Sequence, residues 1–123
     1  MNVLVVEDNL IISMFIEMIL VKNGHNVIGK TSNIKDSICI LQNQKVDLVF
    51  VDLSLDKGES GIELSRIINS DFKLPFLFMT GNSAFLKAPE FEDLNPLAIL
   101  SKPVDERMLQ NVLDKILNKY YKT

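Results

Sequence analysis

This chain predicts an α/β fold, a parallel sheet covered by helices on both faces. One reason is that short, continuous apolar runs alternate with longer segments whose apolar residues recur at helical spacing. A second is where those runs end. Val3-Leu4-Val5-Val6 closes on Glu7-Asp8, Val46–Val51 closes on Asp52, Pro75–Met79 closes on Thr80, and Leu97–Leu100 leads to Lys102. Open α/β sheets bind ligands outside the carboxyl ends of their strands, so these residues predict one chemically active edge.

Each element has a local reason. The first strand is Asn2–Val6. A helix follows over Leu10–Asn23, with Asn9 as N-cap and Gly24 as the C-terminal stop. Asn26–Gly29 reads as a short second strand. Ile34, Ile38 and Leu41 share one face of a helix over Ile34–Gln44. The third strand ends at Asp52, the loop Ser54–Ser60 contains Gly58, and a helix runs over Gly61–Ser70. Pro75–Met79 and Leu97–Leu100 are the fourth and fifth strands. Between them, Gly81–Asn95 is poor helix material, with Pro89 inside it and Pro96 after it, so a fourth helix there should be short or irregular. The last helix, Asp105–Tyr120, places Leu109, Val112, Leu113, Ile116 and Leu117 on one side.

Bulk properties exclude several classes. At 123 residues the chain reads as one domain, 1–123, with no output domain attached. Its net charge of −3 argues against a nucleic-acid surface, which shows as a basic patch. The single cysteine, Cys39, allows no internal disulfide and fits a reducing compartment. There is no signal peptide ahead of the first strand and no apolar stretch near the roughly 20 residues of a membrane span. A cytoplasmic location is expected, with no membrane partner. His25, Glu59 and Cys39 read respectively as an exposed turn residue, a solvated loop acid and a packed helix residue.

The chemistry of the active edge follows from its charges. Glu7, Asp8 and Asp52 repel one another at short range, and a hard divalent cation relieves that repulsion. Mg²⁺ (or Mn²⁺) suits a few carboxylates, waters and a phosphate. With its charge screened, Asp52 is suited to act as a nucleophile on phosphorus. Thr80 and Lys102 then offer a hydrogen-bond donor and a positive charge to the phosphoryl oxygens. A nucleotide site is not expected, since neither a P-loop nor a Gly-x-Gly-x-x-Gly pattern is present.

Taken together, Glu7-Asp8, Asp52, Thr80-Gly81 and Lys102-Pro103 resemble, in order and over nearly the whole chain, the receiver domain of two-component response regulators (CheY-like). The resemblance implies a flavodoxin-like (βα)₅ sheet of order 2-1-3-4-5. It implies a Mg²⁺-dependent phosphoacceptor at Asp52, with Asp8 and Asp52 as metal ligands, Glu7 acting through water and Ser54 lending its backbone carbonyl. Thr80 and Lys102 would bind the phosphoryl group, and the bond before Pro103 would be cis. The phosphate would come from a sensor histidine kinase or a histidine phosphotransfer protein and pass a signal to a downstream protein. Such a chain is not an enzyme in the ordinary sense, although it catalyses its own phosphorylation and dephosphorylation. Two positions depart from the family pattern. Ile99 occupies the switch position, usually aromatic, and the loop after Asp52 lacks the common Met-Pro. Phe78-Met79-Thr80-Gly81 is similar to a subgroup of stand-alone receivers whose fourth strand ends Phe-x-Thr-Gly.

The first helix carries a second message. Ile12, Ile16, Ile19 and Leu20 form its core stripe, while Ile11, Met14, Met18 and Val21 form another apolar stripe roughly 150° away. Either the last helix covers part of this second stripe, or it docks a kinase or a second copy in a homodimer. The reading as a whole is a single-domain response regulator phosphorylated on Asp52. The alternative is a receiver-fold adaptor that binds partners without phosphorylation.

Overall fold

Strands β1 (Asn2–Val6), β3 (Leu48–Asp52) and β4 (Phe76–Thr80) bury both of their faces, which is why they read as unbroken apolar runs. The computed structural model describes residues 1–81 and 93–120. With β2 (Asn26–Thr31) and β5 (Ile99–Ser101) at the edges, the strands form a five-stranded parallel sheet of order β2-β1-β3-β4-β5.

Successive strand residues point to opposite faces, and two separate cores result. Leu4, Val6, Val49 and Val51 pack with α2 (Ile34–Asn43) and α3 (Gly61–Ile67). Val3, Val5, Leu48 and Phe50 pack with α1 (Leu10–Lys22) and the C-terminal helix (Glu106–Tyr120). Asn9 caps α1 by accepting from the backbone of Ile11 and Ile12 at 3.0 and 3.2 Å. Gly24, with φ of 84°, follows the C-cap Asn23. Asp105 accepts from Met108 N at 2.8 Å and so caps the C-terminal helix.

Three elements differ most in extent from the sequence expectation, one of them β5, which runs Ile99–Ser101 rather than Leu97–Leu100. β2 continues past Gly29 to Thr31, because β1 pairs with it as far as Val6↔Thr31 and a bulge between Val3 and Leu4 keeps the register. At Gly29 a Cβ would meet Ile40 Cδ1, so the tip of that side chain would have to turn aside. The third helix changes pitch at Ile68 and continues as a π-helical turn, Ile68–Phe72, closed by Lys73 N donating to Ile68 O. The short or irregular fourth helix expected over Gly81–Asn95 falls largely outside the described residues.

Candidate functional site

β1 and β3 are adjacent and in register at Val6↔Val51, so the residues that leave them, Glu7-Asp8 and Asp52, emerge side by side. One carboxylate oxygen from each of the three lies within 4.8 Å of the others. Glu7 and Asp52 are buried, and Asp8 is exposed at the mouth.

Packing acids together is costly in a dry setting, and Lys102 opposes that cost. From the loop after β5 its Nζ lies 2.7 Å from Glu7 Oε1 and donates to Asp52 Oδ2 at 2.9 Å. The backbone N–H of Ser54 donates to Asp52 Oδ1 at 3.1 Å, and that of Asn9 to Glu7 Oε2 at 3.3 Å. Burial, followed by its hydrogen bond to Asp52, pushes the Glu7 carboxyl up to about 8 against the opposing pull of Lys102. For Lys102, burial lowers the pKa, but hydrogen bonds to Glu7 and Asp52 carry it above its ordinary value.

Thr80 ends β4, between Asp52 and Lys102 in sheet order, and is buried. Its carbonyl accepts from Lys102 N at 2.8 Å, which ties the lysine's backbone to the sheet. The Lys102–Pro103 peptide bond is cis. Ile99 lies opposite Phe78 on β5, half-buried against the α2–α3 core.

Several contributors escaped the sequence. Gly61 opens α3 directly behind β3, and a Cβ there would collide with the backbone oxygen of Asp52. Glu59 is not a solvated loop acid. It is half-buried, and its Oε1 accepts from Ile34 N at 3.0 Å, fastening the loop after Asp52 to the start of α2. Ser13 on α1 is buried and lines a cleft with Glu7 and Asp8. His25 is buried rather than exposed, with Nδ1 3.1 Å from the N-terminal ammonium of Met1, because the turn after Gly24 folds it under the start of β1. Cys39 is exposed, on the solvent side of α2. Only an intersegment contact places Gly61 or Glu59 at the site. Ser13 alone carried a sequence signal, as a polar residue between the core positions Ile12 and Ile16.

Among the described residues nothing covers the second apolar stripe of α1. Ile11 is 78% exposed, Met14 53%, Met18 59% and Val21 57%, and Leu10 extends the patch. The C-terminal helix meets α1 at its C-terminal end instead, through Lys22–Glu106 at 2.8 Å and Gln110–Asn23 at 2.8 Å.

Three convergent carboxylates, two buried and one open to water, form an all-oxygen donor set that fits a hard divalent cation such as Mg²⁺ or Mn²⁺. The parallel α/β sheet thus gathers an acid cluster, a hydroxyl and a lysine at its carboxyl edge. The response regulator receiver domain family model matches residues 3–114, so the chain belongs to that family. It is 28% identical to the phyllosphere-induced regulator PhyR of Methylorubrum extorquens over 113 residues, covering 82% of this chain and 42% of that protein. It is 30% identical to the sensory transduction protein LytT of Bacillus subtilis, covering 94% of this chain and 47% of LytT. The chain thus spans about half the length of the curated relatives it matches. Among solved structures, the PhyR receiver domain of Erythrobacter litoralis superposes with a TM-score of 0.84 at 27% identity, covering 96% of this chain and 90% of that one. A CheY-like receiver domain from Methylobacillus flagellatus shares the fold with a TM-score of 0.81 at 24% identity, covering 94% and 97%.

Proposed function

We propose that this receiver accepts a phosphoryl group on Asp52 from a phosphohistidine of a sensor kinase or phosphotransfer protein, in the cytoplasm, and signals through protein contact. The observation that carries this reading is the setting of Asp52. Its carboxylate ends β3 among Glu7, Asp8 and the Lys102 ammonium. One Asp52 oxygen attacks phosphorus and the P–N bond to the imidazole breaks. The bonding pair stays on the ring nitrogen, which takes up a proton. Asp8 and Asp52 would hold the cation directly, with Glu7 acting through water and Ser54 through its backbone carbonyl. When bound, Mg²⁺ or Mn²⁺ supplies charge neutralisation for the carboxylates and the phosphoryl oxygens. The Thr80 hydroxyl and the Lys102 ammonium bind phosphoryl oxygens, and the same groups serve the return hydrolysis.

Intact-mass spectrometry after incubation with phosphoramidate and Mg²⁺ tests the reading. The wild-type chain should gain one phosphoryl group, while Asp52→Asn and metal-free samples gain none. A folded wild-type protein that stays unmodified, and binds no beryllofluoride, would shift the assignment to an adaptor that works without phosphorylation. Ile99 favours that second reading, because an aliphatic side chain packed against the core offers no aromatic ring to swing inward.

The exposed stripe Ile11, Met14, Met18 and Val21 supports α1 as the docking face for the kinase's or phosphotransfer protein's helices, or for a second copy. Met14→Lys with Met18→Lys should leave stability within about 0.5 kcal/mol, as expected of exposed positions, while slowing phosphotransfer from the cognate donor or dissociating a dimer. Unchanged transfer and oligomeric state would remove the assignment.

A further inference from the structure

The chain after Asp52 leaves the sheet as a small hairpin. Leu53, Ser54 and Leu55 run out, Lys57 at φ 58° and Gly58 at φ 74° turn the chain, and Glu59, Ser60 and Gly61 run back. Leu55 N donates to Glu59 O and Gly61 N to Leu53 O, both at 3.0 Å, and Ser54 lies opposite Ser60 between these bonds. In an antiparallel pair of that kind the flanking peptide groups face the partner strand, so the paired residue's own N–H and C=O face away from it. The Ser54 N–H does leave the hairpin, donating to Asp52 Oδ1 at 3.1 Å. The Ser54 carbonyl therefore opens to the side of the Asp52 carboxylate. A trans peptide sets its C=O opposite its N–H, so the bond from Leu55 N to Glu59 O fixes the direction of that carbonyl.

Glu59 is where the hairpin is held from outside. Its carbonyl takes the Leu55 N–H, and its half-buried carboxylate accepts from Ile34 N at 3.0 Å, at the first turn of α2. That N–H is one of the amides a helix leaves without an internal partner, and the helix dipole favours a carboxylate there. The local cap of α2 is separate, with Asn33 Oδ1 accepting from Asp36 N at 2.8 Å. We infer that Glu59 is a positioning residue for the divalent cation: anchored on α2, it holds the Ser54 carbonyl toward an ion beside Asp52. This inference rests on the cation site and the Ser54 ligand proposed above. Glu59 is not one of the three clustered acids and acts only through the hairpin backbone. Groups that orient a metal's ligands from outside the coordination sphere contribute measurably to its affinity.

The test is calorimetric titration of the full chain with MgCl₂, comparing wild type with Glu59→Ala, Glu59→Gln and Asn33→Ala, alongside thermal melts of each in EDTA. Glu59→Ala should bind Mg²⁺ about tenfold more weakly, the low end of the effect of such outer partners. Glu59→Gln should restore most of the affinity, because its amide oxygen accepts from Ile34 N as the carboxylate does. Asn33→Ala removes the other cap of α2, so it should lower the melting temperature in EDTA and leave Mg²⁺ affinity unchanged. Equal Mg²⁺ affinity for wild type and Glu59→Ala overturns the inference and leaves the phosphoacceptor reading standing. A loss in Glu59→Gln as large as in Glu59→Ala assigns the effect to charge alone and also overturns it. So does a matching loss in Asn33→Ala, since affinity would then follow the stability of α2. A wild-type protein that binds no Mg²⁺ removes the cation site itself, and the inference with it.

Discussion

The two ends of the sheet each bury an ionisable group, and they use it in opposite ways. At the carboxyl edge Glu7 is pushed up to about 8, and its environment is crowded with charge: Asp52, Asp8 and Lys102 all converge on it. At the amino edge His25 is pushed below its ordinary value, first by burial and then by the Met1 ammonium, and among the described residues no cluster of acids or metal ligands surrounds it. Burial alone therefore does not mark a functional site. Convergence does: among the described residues the carboxyl edge brings groups of both signs to one point from β1, β3 and the loop after β5, with room beside them for solvent and ligand.

Removing the charge balance at the carboxyl edge should destabilise the chain more than any change at the amino edge. Lys102→Met leaves Glu7 and Asp52 facing each other without a cation. Breaking a buried pair on one side typically costs about 3 kcal/mol or more, and Lys102's partial exposure puts the expected loss nearer 2 kcal/mol in EDTA. Urea denaturation should show Mg²⁺ restoring much of that loss, and an equal loss with and without Mg²⁺ would break the distinction between the two edges.

The pH dependence is a second contrast, with opposite signs at the two ends. The folded-state pKa of Glu7 lies near 8 against an ordinary 4.5, so between these values the folded chain binds more protons than the unfolded one. Metal-free stability should therefore fall as pH rises through that window, by about 2 to 4 kcal/mol in all. Glu7→Gln should flatten the slope. Lys102, held above its ordinary 10.5, adds a further loss only at more alkaline pH. His25 acts the other way. Its folded-state pKa lies below the ordinary 6.5, so the unfolded chain binds more protons as pH drops past that value, and stability falls on acidification. His25→Asn should remove this acid limb, the smallest of the expected effects. Denaturation midpoints across pH 5 to 9 in EDTA check both limbs, and a profile unaltered by either substitution would contradict the contrast.

The strand ends were legible because each candidate site residue closes or follows an apolar run, and a parallel sheet sends all such ends to one edge. That local rule suffices for Glu7, Asp8, Asp52, Thr80 and Lys102, and for the alternation that predicts the fold. It could not reach Glu59 or Gly61. Their roles are contacts with Ile34 N and with the Asp52 backbone, made by segments that meet only when α2 and α3 pack on the same face. His25 was misread for a related reason: a polar residue beside a turn glycine gives no local sign that another segment will cover it.

The α1 helix divides most clearly along this line. Its two apolar stripes follow from residue spacing alone, since a period of 3.6 puts Ile16 and Ile19 on one side and Ile11, Met14 and Met18 on another. Which stripe is buried, and whether a neighbour covers the second, depended on where the C-terminal helix packs, and it contacts α1 near Lys22 and Asn23 instead. Periodicity and the polarity of strand ends are properties of the chain, and the sequence by itself determined the fold class and the chemistry gathered at the carboxyl edge. Burial, ion pairing and hydrogen-bond partnership are properties of surfaces brought together from distant positions, and only the tertiary structure decided those.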